Sequence, residues 1–160
     1  MLACSTRVWD LETRQVTIEP LANFDVIGDL AVDMNSFFNP MSKNWHHVGT
    51  SESRQSIPKE NRADSLQRFE NCIECGACYS SCPAVRKNAS FLGPAVLAAI
   101  QMEYTKSKQK EVLNLAGGEF GERLCERAIN CSRVCPAGVH PARHILDIRQ
   151  ALGNHPAEKR

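Results

Sequence analysis

The sequence predicts a mainly α-helical fold with a short β segment near the N-terminus. Three observations support this class. Apolar residues recur at helical spacing in the last third of the chain, residues 14–20 alternate polar and apolar side chains before a proline, and seven of the eight cysteines lie in two compact runs. At 160 residues the chain has the length of about one domain.

The N-terminal elements are predicted from short patterns. Residues 14–20 predict a strand that ends at its proline, because proline cannot donate to a sheet. Residues 29–38 predict an amphipathic helix from their apolar side chains, which are Leu30, Val32, Met34, Phe37 and Phe38. Residues 42–64 are polar and lack a period, so we interpret them as a surface connector.

The C-terminal half predicts longer helices. Residues 93–106 carry apolar side chains at helical spacing, and proline is tolerated in the first turn. Residues 123–130 and 141–152 predict two further helices, the second of which stops at Gly153. Short helices at each cysteine run would place thiols three residues apart on one face.

The two cysteine runs carry the chemistry of the chain. The first, residues 72–83, reads C-x₂-C-x₂-C-x₃-C-P, and the second, residues 125–136, reads C-x₂-A-x₂-C-x₃-C-P. Both match the run that binds iron–sulfur clusters in bacterial ferredoxins, except that Ala128 replaces one cysteine.

Cross-ligation decides how the cysteines are shared. In two-cluster ferredoxins the fourth cysteine of each run binds the other cluster. This rule assigns a [4Fe–4S] cluster to Cys72, Cys75, Cys78 and Cys135, and a second cluster to Cys82, Cys125 and Cys131. A cubane with three thiolates can lose one iron, so we predict a [3Fe–4S] cluster there. The chain would be a two-cluster α-helical ferredoxin-like domain that moves single electrons.

Disulfides and zinc are the alternative uses of these cysteines. Eight cysteines in 160 residues are fewer than disulfide scaffolds contain. Zinc often binds C-x₂-C pairs, but a tetrahedral site uses two pairs and the triple run followed by Cys-Pro would leave ligands over. The pattern therefore favours iron–sulfur clusters.

Composition excludes several classes of function. The net charge of +1 gives no basic surface for nucleic acid. The longest apolar run, residues 94–100, is far shorter than the ~20 residues that span a bilayer, so membrane association would require partner subunits. No Walker loop, dinucleotide fingerprint or catalytic nucleophile motif is present.

The two cysteine runs, with the LGPA segment (residues 92–95) between them, occur in the same order as in a known family. This part of the chain resembles the C-terminal domain of the iron–sulfur subunit of succinate dehydrogenase and fumarate reductase. Residues 18–21 (IEPL), 26–30 (VIGDL) and 32–34 (VDM) are similar to that family's link between domains. The resemblance covers residues 2–150.

This resemblance implies a non-catalytic electron-transfer subunit. The chain would relay electrons between a flavoprotein subunit with FAD and a membrane anchor that carries cytochrome b or a quinone site. It would lie peripherally on the cytoplasmic face of the inner membrane, or on the matrix face in mitochondria, without a transmembrane segment.

The resemblance also gives Cys4 a candidate role. In the family a plant-type [2Fe–2S] domain precedes the two-cluster domain, and its last cysteine lies in a Leu-x-Cys segment similar to residues 2–4. We expect residues 1–20 to be a remnant of that domain, 21–64 a linker with one helix, and 65–160 the [4Fe–4S]/[3Fe–4S] domain. The other three [2Fe–2S] cysteines of the family are missing, either because the subunit is split and a separate polypeptide supplies them, or because the start of the sequence is misplaced or cut. Cys4 would accordingly be a [2Fe–2S] ligand completed in trans or an ordinary free thiol.

Three positions depart from the family pattern near the electron exit. Many members have a tryptophan five residues after the fourth cysteine and a histidine after the first cysteine of the second run, both near quinone. Here these positions are Lys87 and Glu126, and Ala137 replaces a basic residue after the last Cys-Pro. We expect a haem-bearing cytochrome b anchor rather than quinone directly against the [3Fe–4S] cluster.

Two alternative functions remain open from the sequence. One is an iron–sulfur subunit of a heterodisulfide reductase-like or thiol-dependent fumarate reductase complex, although its C-C-G segments are absent. The other is a free-standing ferredoxin, although small ferredoxins are typically acidic. Four histidines, which are His46, His47, His140 and His144, are predicted to be exposed side chains rather than ligands.

Overall fold

The computed structural model describes residues 2–13, 15–41 and 71–154. These residues are mainly helical and contain a small two-stranded sheet, so the predicted fold class is confirmed at that level. The predicted connector at 42–64, including Trp45, His46 and His47, lies outside the described residues. Among the helices of the described ranges, none is long and apolar enough to cross a membrane.

The N-terminal part forms turns and a hairpin. Ala3–Ser5 and Val8–Asp10 are single 3₁₀ turns. Strand β1 (Asp25–Gly28) pairs antiparallel with β2 (Ala31–Asp33) and is followed by the one-turn helix α1 (Asn35–Phe38).

Two sequence-based predictions in this region are wrong. Residues 15–20 form no strand, and the helix expected from residue 29 begins only at α1. The reason for the second error is visible in the pattern: Leu30, Val32 and Met34 alternate with a period of two, which suits a strand, and only the residues after them adopt helical geometry.

Six helices follow in the described C-terminal range. They are α2 (Ala77–Ser80), α3 (Pro83–Lys87), α4 (Pro94–Ser107), α5 (Lys110–Gly117), α6 (Asn130–Arg133) and α7 (Pro141–Asn154). The predictions for 93–106 and 141–152 are confirmed, although α7 continues through Gly153 instead of stopping there. Helix α5 is not among the helices predicted from the sequence.

The helix predicted at 123–130 is wrong. A 3₁₀ turn, Glu122–Leu124, is followed by extended and irregular backbone up to α6. Arg127 and Ile129 have φ values of 59° and 63°, which a right-handed helix cannot contain.

The core is centred on α4. The first half of α4 is buried on all sides, and it packs against α7 and α5 through Leu97, Ile100, Leu113, Ile145 and Ile148. Prolines begin α3, α4 and α7, where the missing N–H would have had no helical partner. These helices form the walls behind both cysteine runs.

A cluster of three aromatic side chains joins the hairpin region (residues 23–38) to the first cysteine run. Phe24, Phe37 and Tyr79 are all buried, with ring centroids of Phe24 and Tyr79 4.9 Å apart. Next to them the Asn23 side-chain amide donates to the carbonyl oxygens of Tyr79, Ser80 and Cys82 at 2.9–3.0 Å. This region therefore holds the backbone turn that carries Cys82.

Replacing Asn23 should loosen that turn. Asn23→Gly keeps a residue that tolerates the φ of 64° but removes the side-chain amide that donates to three carbonyls, so we expect a loss of about 1–3 kcal/mol in the free energy of unfolding. Asn23→Ala should lose more, because alanine also resists positive φ. Thermal or denaturant unfolding measures both; an unchanged stability of the glycine variant would show that the amide contributes nothing.

Candidate metal centre

Four thiols of the predicted four-iron site line one cavity. They are Cys72, Cys75 and Cys78 from the first run and Cys135 from the second. Gly76, which immediately precedes α2, has a φ of 73°, and a Cβ there would lie 2.9 Å from Met34 Cε. Glycine therefore lets the first run fold tightly against the hairpin region.

Three thiols of the predicted three-iron site line a second cavity of about 360 Å³. Cys82 comes from the first run, and Cys125 and Cys131 come from the second. Ala128 lines the same cavity. Its walls are mainly apolar, with Phe91, Pro94, Ile145 and Leu146 among them.

The two runs share one backbone shape. The third residue of each run has positive φ (Glu74 and Arg127), and so does the fifth (Gly76 and Ile129). A short helix follows at the same offset in both, α2 in the first run and α6 in the second. Ala128 is therefore the counterpart of Cys75 in structure as well as in sequence.

Ile129 is the strained member of this pair of turns. A β-branched residue with φ of 63° is an outlier that costs about 1–3 kcal/mol, and its surroundings must impose it. Gly76 occupies the matching position in the first run, where positive φ carries no such cost. The second run therefore adopts the same turn despite the strain at Ile129.

The thiols lie close enough to affect one another. Burial raises the pKa of Cys78, and nearby thiolates, with Cys72 first and Cys131 next, raise it further. Burial raises the pKa of Cys131 to about 11, with smaller contributions from Cys125 and Cys82. Burial also raises the pKa of Cys72 and of Cys82.

The donor set fits iron–sulfur clusters. Several thiolates in one buried cavity repel each other unless a cationic core supplies the opposite charge. All eight cysteines lie in the described ranges and none forms a disulfide. In those ranges no three His, Cys, Asp or Glu side chains form a group that could hold a single metal ion; the thiols surround cavities instead.

A backbone N–H donates to the sulfur of Cys135. The N–H of Val139 lies 3.4 Å from Cys135 Sγ. Hydrogen bonds of this kind orient cysteine ligands and tune cluster potentials. Between the cavities, the Asn130 side-chain amide donates to the Ser81 carbonyl at 3.3 Å and ties the two runs together. The geometry supports the predicted grouping of the cysteines, while ligation itself stays a prediction.

Comparison with known proteins identifies the family. A family model described as a 4Fe-4S dicluster domain matches residues 68–139, and one described as a 2Fe-2S iron-sulfur cluster binding domain matches residues 1–39. The fumarate reductase iron-sulfur subunit of Mycobacterium tuberculosis is 36% identical over 172 residues, covering 99% of this chain and 67% of that protein. The chain belongs to the family of succinate dehydrogenase and fumarate reductase iron–sulfur subunits.

Other members give the same result. The succinate dehydrogenase iron-sulfur subunit of Coxiella burnetii is 34% identical, covering 94% of this chain and 67% of its own length. The mitochondrial succinate dehydrogenase [ubiquinone] iron-sulfur subunit 1 of Oryza sativa subsp. japonica is 34% identical, with 93% and 56% covered. The predicted resemblance and electron-transfer role are confirmed, and the heterodisulfide reductase-like and ferredoxin alternatives are not favoured.

Two of the three residues that depart from the family pattern contact each other. Lys87 Nζ lies 2.6 Å from Glu126 Oε1, which joins the end of α3 to the residue after Cys125. Both side chains are solvent-accessible, and Glu126 lines the second cavity. The ion pair therefore lies at the edge of the predicted three-iron site.

The turn that carries Cys4 lies at a surface cavity shared with the second run. It is exposed on Ala3–Ser5, and the neighbouring Leu2 and Ser5 share a surface cavity with Cys135 of the second run. A ligand role for Cys4 remains a prediction.

The histidine predictions are corrected at one position. His140 is exposed, as expected, but His144 is buried, with Nδ1 2.7 Å from Gln101 Oε1. His144 lies on the face of α7 that packs against α4, which a helical projection of residues 141–152 would have shown.

Proposed function

We propose that this chain relays single electrons within a succinate dehydrogenase or fumarate reductase complex, between an FAD-containing flavoprotein subunit and a membrane anchor. The supporting observation is the pair of thiol-lined cavities joined by α2 and the residues after it. Cys72, Cys75, Cys78 and Cys135 would hold a [4Fe–4S] cluster, and Cys82, Cys125 and Cys131 a [3Fe–4S] cluster. When bound, these clusters supply one-electron transfer.

The chain's own contribution is position and environment. Cys78 faces the first cavity and Cys82, four residues later, faces the second, so one short segment holds both sites next to each other. Asn23 fixes the carbonyls of that segment, and buried α4 side chains keep water from its inner side. No substrate chemistry is assigned to this chain.

The two ends of the relay have different surroundings. Residues of the turn that carries Cys4 line the same surface cavity as Cys135, so a [2Fe–2S] cluster that used Cys4 and was completed by a separate polypeptide would deliver electrons to the first cavity. Ile129 and Leu146 are half exposed at the second cavity, which makes that side the proposed contact with the anchor. The chain would then lie peripherally on the cytoplasmic face of the inner membrane, or on the mitochondrial matrix face.

Isolation of the complex tests this proposal. A tagged form of the chain, extracted from membranes in mild detergent, should co-purify with a flavoprotein and a membrane subunit, and succinate should reduce its three-iron centre. A chain that purifies alone, with centres that neither succinate reduces nor fumarate oxidises, would overturn the proposed function.

The exit step has its own prediction. Because the Lys87–Glu126 pair at the second cavity occupies positions that hold other residues near quinone in many family members, we expect the anchor to accept electrons through haem. Quinone-site inhibitors should then leave the electron paramagnetic resonance (EPR) spectrum of the three-iron centre unchanged. A clear shift of that spectrum on inhibitor binding would contradict the haem-first exit.

A further inference from the structure

A nearly buried arginine holds the backbone of Cys125. Arg149 on α7 has 18% of its side chain exposed, and its Nε lies 2.5 Å from Glu122 Oε2. Its Nη2 donates to the carbonyl oxygens of Glu122 at 3.0 Å and of Cys125 at 2.9 Å. The guanidinium thus uses its planar fork to connect α7, the 3₁₀ turn and a cysteine of the second cavity.

In the Arg149–Glu122 ion pair, the positively charged residue is the one that lines the second cavity. Arg149 is among the side chains that line the second cavity, and Glu122 lies behind it on the Glu122–Leu124 turn. A buried charge acts in a low effective dielectric, so its field at the cavity is screened less than that of a surface charge.

We infer that Arg149 is a positioning residue for the three-iron site, and that it also sets the electrostatic potential there. It fixes the carbonyl of Cys125 and so the direction of that thiol. Its charge favours the reduced, more negative form of whatever cluster the thiols hold. This inference rests on the proposed function.

Arg143 provides a matched control on the same helix. It also lines the second cavity, but 64% of its side chain is exposed and it pairs with Asp147 on α7 itself at 3.3 Å. Loss of Arg143 removes the same charge without removing a bond to the second run.

The test measures the midpoint potential of the three-iron centre by EPR-monitored titration, in the purified complex. Arg149→Met should shift the potential to more negative values, because the buried Glu122 charge is left uncompensated. Glu122→Gln should shift it to more positive values, and the double variant should return toward the unaltered chain. Arg143→Met should shift it less than either single variant.

A second readout separates position from charge. Arg149→Lys keeps the charge but cannot make the forked contacts, so its potential should stay near that of the unaltered chain while a chelator removes the three-iron centre roughly 10-fold or more faster. The lysine and Glu122→Gln variants keep the test valid if Arg149→Met does not fold.

The outcomes distinguish this inference from the proposed function. Equal potentials in the Glu122→Gln, Arg149→Lys and unaltered chains, with equal resistance to chelator, would overturn the inference while the unaltered chain still shows its three-iron centre. Absence of a three-iron centre from the unaltered complex would overturn the proposed function itself.

Discussion

Replacing Ala128 by cysteine is expected to convert the three-iron centre into a [4Fe–4S] cluster. Ala128 lines the second cavity and corresponds to Cys75 of the first run in both spacing and backbone shape. Its methyl group cannot bind iron, whereas a thiolate there would complete the fourth corner. The EPR signal of the oxidised three-iron centre should disappear, and the potential should fall because an anionic ligand is added.

The control for this prediction is a cysteine placed elsewhere in the same wall. Ala84 also lines the second cavity but lies on α3, outside the second run. Ala84→Cys should leave the three-iron signal in place. If Ala128→Cys folds, loads iron and retains an unaltered three-iron signal, the proposed ligand set is wrong.

Cys82→Ser is the second substitution with a large expected effect. Although Cys82 belongs to the first run, it lines the second cavity, so its loss should damage the three-iron centre and leave the four-iron centre intact. The variant should also unfold more readily, because cluster binding and folding are coupled. EPR spectra of the oxidised and reduced protein measure the two centres separately.

A matched substitution in the same run gives the opposite expectation. Cys72→Ser should damage the four-iron centre, because Cys72 lines the first cavity. Loss of the four-iron signal alone in Cys82→Ser would contradict the exchange of fourth cysteines between the runs.

Local chemistry made much of the site predictable. The grouping predicted from the cysteine spacing coincides with the lining of two cavities, and both runs, which have similar spacing, have positive φ at the same offsets. Ligation by these groups stays a prediction. Helices α4 and α7 were predictable because each combines an initial proline with apolar residues at helical spacing.

The errors have equally local causes. The helix predicted from residue 29 is wrong at its start because residues 30–34 have a period of two, which indicates β2. The helix predicted at 123–130 ignored the requirement that the second run adopt the turns of the first, with positive φ at Arg127 and Ile129.

Contacts between distant parts of the chain could not be predicted. Asn23 reaches the carbonyls of residues 79, 80 and 82, and Arg149 reaches Cys125 across 24 positions. Neither residue belongs to a motif, and a single asparagine or arginine is usually exposed. Only the packing of the hairpin region and α7 on the cysteine runs reveals these roles.

The central claim is that one cavity holds four irons and the other three. The most direct test is the iron content of the purified chain, freed of its partners, together with spin quantification of the oxidised EPR signal. We expect about seven irons per chain and about one three-iron spin per chain. About eight irons with no oxidised three-iron signal, or about four irons in total, would contradict the account.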